Sequence, residues 1–80
     1  MKASDVADTA VLALVARPSA SPLGWTIWDI QSRFPAYPER VVTAKLRALR
    51  RRHLIHGCLC GCRGDITISE MGRVWLLDHP

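Results

Sequence analysis

The stretch TIWDIQSRFPAYPERVVTAKLRALRRRHLI, residues 26–55, decides the fold. It holds two apolar patterns of helical period, separated by a proline-bounded turn. In the first, Thr26 and Asp29 form a capping-box-like pair: the hydroxyl takes one orphan amide, and the carboxylate reaches back toward the cap amide. Ile27, Ile30 and Phe34 then share one face, and Pro35 ends the helix. Pro35-Ala36-Tyr37-Pro38 makes a tight connection. Pro38 suits the first position of a longer helix, where its missing N–H would have no partner anyway. That helix is expected over 38–53. Val42, Leu46 and Leu49, with Leu54 beyond, face inward, and Arg40, Thr43, Ala44, Arg47 and Arg51 lie on the opposite side at the same period.

Upstream, residues 4–17 carry Val6, Ala7, Ala10, Val11, Leu14 and Val15 at three- and four-residue steps, which predicts a helix with one buried stripe. Ser4 or Asp5 can cap it, and Arg17-Pro18 stops it. A turn-rich connector follows, closing on a short extended piece where Trp25 is expected to meet the later strands. Downstream the period changes. Gly57, Gly61 and Gly64 break helical continuity, Ile66-Thr67-Ile68 alternates like a half-buried strand, and Gly61-Cys62-Arg63-Gly64 supplies a turn. This predicts a hairpin over 55–68. Ser69 then caps a last helix whose Met71, Val74, Trp75 and Leu77 or Leu76 are expected inward. The fold class is mainly α with a small β-hairpin, in one domain over residues 1–80.

Eighty residues suffice for one thin core and leave little room for a large catalytic cleft. A hydrophobic fraction of 49% with 22% charged residues is that of a globular chain, not a disordered tail. No apolar run approaches the roughly 20 residues that span a bilayer, so a soluble, cytoplasmic protein without membrane contact is expected. The net charge of +4 is unevenly placed. From residue 39 to 63, seven basic residues stand against one acid. The remainder holds four basic residues against six acids. A near-neutral body with one basic segment presents a face to polyanions.

The quoted stretch resembles the second and third helices of a winged helix-turn-helix domain. Asp29-Ile30 stands at the "EI" step of such domains and Phe34 at its closing leucine. Val42, Leu46 and Leu49 stand at the inner recognition-helix positions, and His53-Leu54-Ile55 at the "GLI" entry to the wing. Ile68, Ser69, Glu70 and Gly72 are similar to the returning strand and "LTEKG" helix of the same regulators. The likeness runs over residues 5–78 and is greatest to PadR-like and MarR-like bacterial or phage transcriptional regulators. Three features depart from the pattern: a turn one residue longer with two prolines, His53 in place of glycine, and no long dimerisation helix after residue 78. A homodimer is therefore left open.

The resemblance implies a small regulator that binds double-stranded DNA, with helix 38–53 in the major groove and the 55–68 hairpin as wing. Arg40, Thr43, Ala44 and Arg47 would then reach base edges. Lys45, Arg50, Arg51 and Arg52 would meet phosphates, which set affinity and register rather than sequence. Arg63 would be the wing contact. Arginines near a helix C-terminus also favour the dipole and solubility, which accounts for Arg51 and Arg52 better than for Arg40 and Arg47.

His56, Cys58, Cys60 and Cys62 recur at every second position and are zinc-ligand types. On a flat strand Cys58 and Cys62 stand roughly 13 Å apart. One metal would need the chain to bend at Gly57 and Gly61, so packing of the cysteines as small apolar residues is the expectation, and no cofactor is expected. No phosphate loop, paired carboxylates or nucleophile–base set is visible, which argues against an enzyme. Two alternatives to a DNA-binding regulator stay open: a winged-helix interaction module docking a protein partner, such as a host protein of a phage, through Trp28 and the wing, and a metal or redox sensor built on the cysteine cluster.

Overall fold

A computed structural model describes residues 2–18, 24–57, 59 and 66–79. Among them, a single 3-10 turn at Ala3–Asp5 precedes α1 (Asp8–Val15), α2 (Ile27–Ser32), α3 (Glu39–Arg51), β1 (Ile55–His56), β2 (Thr67–Ile68) and α4 (Glu70–Asp78). The strands are antiparallel, with Ile55 opposite Ile68 and His56 opposite Thr67. Trp25 adds an isolated antiparallel bridge to Ile66, bonded in both directions, so the connector does meet the strand region. The chain is thus mainly helical with a small antiparallel sheet. No described helix is long and apolar enough to cross a membrane.

α1 lies at the centre and touches α2, α3, α4 and β2. Val11, Leu12, Leu14 and Val15 are all buried, a wider arc than one stripe, because neighbours surround the helix on several sides. Two expectations are corrected here. The helix starts at Asp8 rather than near residue 4. Val6 and Ala7 are extended, and Val6 turns its side chain into the core, so the segment is a 3-10 turn and a separate helix. Ala7 and Ala10 are consequently exposed.

Thr26 caps α2 as its position predicts, its Oγ1 accepting from the Asp29 N–H at 3.0 Å. Ile27 and Ile30 are buried and Phe34 packs partly buried against the core. Pro38 is the residue before the first helical position of α3. Val42, Leu46 and Leu49 are buried as the period requires, and Val41 joins them. Gln31 donates to the Thr43 hydroxyl at 2.9 Å and ties α2 to α3. The Tyr37 hydroxyl donates to the Asp5 carbonyl at 3.2 Å and pins the intervening turn.

α3 stops in a left-handed turn. His53 takes φ 61°, its N–H donates to the Arg50 carbonyl, and the Leu54 N–H donates to the Leu49 carbonyl. This is the double bond pattern of a Schellman cap, built on histidine where glycine is usual. It carries Leu54 into the core and presents two carbonyls to α4. The Ser69 N–H donates to the Leu54 carbonyl at 3.0 Å. The Ser69 hydroxyl donates to the His53 carbonyl at 2.6 Å and accepts from the Gly72 N–H at 2.9 Å, capping α4.

This docking sets the rotation of α4. A Cβ on Gly72 would lie 2.2 Å from the Leu54 oxygen and 2.7 Å from Ile68 Cγ1, so the helix approaches with its glycine face. Trp75 and Leu76 flank that face and are half-buried, whereas Met71, Val74 and Leu77 are exposed. The expectation that Met71 and Val74 face inward is corrected by this close approach.

One carboxylate joins α1 to α3. Asp8 accepts from Lys45 through Oδ1 and from Arg52 through Oδ2, the latter at 3.0 Å. At about 100° per residue, Lys45 and Arg52 lie on one flank of α3, more than a quarter-turn from Arg40. Lys45 is only 8% exposed. Partial burial raises the Asp8 pKa, but the hydrogen bonds and charges of Lys45 and Arg52 outweigh it, and the carboxyl is held below its ordinary value. Arg52 also lies over the Trp75 ring at 5.9 Å, and Trp75 stacks on His79 at 4.0 Å, extending the contact to α4.

Two outcomes are expected in thermal melts. Gly72→Ala forces α4 off the Leu54 carbonyl and costs about 2 kcal/mol, a drop of about 10 °C for a chain this size; an unchanged midpoint contradicts the close approach. Asp8→Asn leaves Lys45 buried without its anion and costs about 2 kcal/mol at neutral pH. Because the native pKa is lowered, this stabilisation is complete above the unfolded carboxylate's value of about 3.9 and is lost as pH falls through the native value. The gap between the parent chain and Asp8→Asn therefore closes on acidification, and a gap independent of pH rules out the ionised carboxylate as its source.

Candidate nucleic-acid interface

α3 divides its side chains three ways around its axis. Val41, Val42, Leu46 and Leu49 fill the core, Lys45 and Arg52 meet Asp8, and the remaining arc faces solvent. Arg40, Ala44, Arg47 and Arg51 are exposed on that arc, with Arg50 beside them. On an ideal helix Arg40, Ala44, Arg47 and Arg51 fall within an arc of about 60°, over a length of about 16 Å. Among the described residues, none of Arg40, Arg47, Arg50 and Arg51 forms an ion pair with a carboxylate. Glu39, in the first turn, is exposed where a carboxylate favours the helix dipole.

At the C-terminal half of this face, Arg47, Arg50 and Arg51 line a concavity of about 400 Å³ together with Leu59. Three arginines at one hollow, with no carboxylate paired to them among the described residues, supply fork-shaped donors that favour phosphate or carboxylate oxygens. Leu59, from the segment after β1, was not singled out by sequence reasoning. It is partly buried against the core, and nothing in the periodicity marks it.

The structure redistributes several residues expected at this face. Lys45, expected at phosphates, is corrected: it is buried and bound to Asp8, because its position on the helix turns it toward α1. Arg52 is likewise engaged by Asp8 and Trp75, although its side chain stays half-exposed. Thr43 is half-buried, and its oxygen accepts from Gln31, which leaves its own hydroxyl hydrogen to donate. Sequence reasoning assigns Asp8 no partner. Its partners lie 37 and 44 residues away, a distance no local pattern reveals.

Arg63, expected at the wing tip, lies outside the described residues, as do Cys58, Cys60 and Cys62. His56 is exposed on β1, paired opposite Thr67. Among the described residues, no group of three or more His, Cys, Asp or Glu side chains converges as metal ligands do. Trp28 is 62% exposed on α2, off the Ile27 and Ile30 face.

No protein-family model, no curated protein and no solved structure matches this chain.

Proposed function

We propose that this chain is a small DNA-binding regulator of the winged helix-turn-helix type, with α3 as its recognition helix. The observation that carries the reading is the outward arc of α3, where Arg40, Arg47, Arg50 and Arg51 project without carboxylate partners among the described residues. A single α-helix fits the major groove, and arginine forms a two-pronged bond to guanine there. Arg40 sits in the N-terminal half of α3, the half that meets base edges when a recognition helix enters the groove. Arg47, Ala44 and Thr43 follow along the same side. Arg50 and Arg51, with Arg47 at the Leu59 hollow, suit the phosphate backbone.

The fold serves this reading by holding the helix while leaving its face open. Core aliphatics, the Gln31–Thr43 bond and the Asp8 ion pairs grip α3 on the sides turned away from solvent. A rigid presenting helix loses little freedom on binding, so more of the electrostatic attraction appears as affinity. A second reading, docking of a protein partner, draws on the exposure of Trp28, since tryptophan is enriched among the residues that anchor interfaces.

Fluorescence anisotropy on duplex DNA between low and moderate salt tests the first reading. Affinity is expected to fall steeply, with a log–log slope of about −0.9 for each phosphate neutralised. Arg40→Ala is expected to cost about 1–3 kcal/mol where it meets a base, and Arg50→Ala or Arg51→Ala to weaken all duplexes alike and reduce the slope by about 1. Trp28→Ala, at an exposed site of α2 away from the arginine arc, should leave affinity unchanged. Duplex binding insensitive to salt, or to loss of Arg40 and Arg47 together, sinks the proposal.

A further inference from the structure

A second surface lies on α4, away from the arginine arc and independent of the DNA reading. Met71, Val74 and Leu77 are 58%, 54% and 81% exposed, on a helix whose other face is fixed by Gly72. Leu54, Met71, Val74 and Trp75 line a groove of about 350 Å³, with Glu70 at one end and Asp78 at the other. No lysine or arginine lines it among the described residues. Arg73 faces the other flank of α4, in the hollow with Arg17 and Trp25, and Arg52 is bound to Asp8.

We propose that this groove docks an amphipathic helix of a different protein, with apolar anchors at three- and four-residue steps and basic residues at both ends. The two acids are eight residues apart on α4, about 12 Å, or two turns of an incoming helix. Apolar contact supplies the affinity, and Glu70 and Asp78 fix the orientation by pairing with the partner's Lys or Arg side chains.

Charge decides against the other occupants. A second copy pairing α4 with α4 brings acids onto acids in either direction: Glu70 meets Asp78 when antiparallel, and each meets its own counterpart when parallel. A second copy's α3 offers arginines, but its aliphatic residues Val42, Leu46 and Leu49 are buried in its own core and cannot fill the groove. Nucleic acid is repelled by both carboxylates.

The test titrates the isotope-labelled full chain, followed by NMR, with a synthetic acetylated helix carrying leucines at three- and four-residue steps and lysines on both flanks. Its twin carries glutamates in place of the lysines. The lysine peptide is expected to shift Leu54 and residues 70–78, and the glutamate twin to leave them unmoved. Val74→Asp, and separately Glu70→Lys with Asp78→Lys, should each weaken binding roughly tenfold or more, about 1.4 kcal/mol at the least. These side chains are exposed, and the pair of charge reversals leaves the apolar groove intact. Arg40→Ala should not affect the peptide, so failure of the DNA reading and failure of this one are separable. Equal binding of both peptides, shifts confined to other surfaces, or a concentration-dependent dimer in sedimentation that Val74→Asp abolishes would overturn it.

Discussion

The Asp8 carboxylate binds two cations from α3, one at each oxygen, and this sets which way that helix is turned. Aliphatic packing alone leaves a helix some freedom to roll, because Val41, Val42, Leu46 and Leu49 cover a broad arc and neighbouring rotations bury similar area. A buried lysine does not share that tolerance. Rolling α3 either way carries Lys45 into apolar surroundings without an anion, at a cost of several kcal/mol, or into water, where its pairing becomes worth little. The half-exposed Arg52 adds at most about 1 kcal/mol by itself. Its contribution is geometric, since it lies over Trp75 and ties the same carboxylate to α4. With one flank of α3 held so, the arginines at 40, 47 and 51 have no direction left but outward.

The second constraint is the turn after α3. Left-handed geometry at His53 directs the His53 and Leu54 carbonyls toward the start of α4, where Ser69 and Gly72 receive them. A side chain at position 72 would collide with the Leu54 oxygen, so the glycine fixes both how near α4 comes and which of its faces is covered. The exposed Met71 and Val74 are the consequence. They face outward because the contact face of the helix is the one with the least side chain on it.

Periodicity and punctuation made most of the fold legible. Thr26 and Ser69 cap helices as their positions suggest, and the inner face of α3 follows its apolar spacing. What stayed hidden has a common physical origin. Lys45 reads as another basic residue because its partner is 37 residues away, and Val6 reads as the first turn of a helix because an extended residue that buries a valine has no local signature. The rotation of α4 misled for a related reason. Apolar spacing locates an apolar face, but a glycine that permits backbone contact competes with it and wins, since a helix docks most closely where it has no Cβ. The outward arginines were legible for the opposite reason: they follow the period of α3 and require no distant partner.

The two surfaces also have different relations to the core. The arginine arc is the residue of a helix whose remaining circumference is fully occupied, so its charges stand on a support that yields little when an anion binds. The α4 groove is bounded by Leu54, itself the residue that closes the α3 cap, and by Trp75, which stacks on His79 and meets Arg52. The groove thus borders the turn and the ring contact that end α3, next to Arg50 and Arg51. Coupling between two sites needs a shared element whose arrangement both ligands sense, and the segment from Arg50 to Leu54 is the element these surfaces share. The signs of charge set the two surfaces apart, arginines on one face and carboxylates beside the groove on the other, while that short segment joins the supports beneath them.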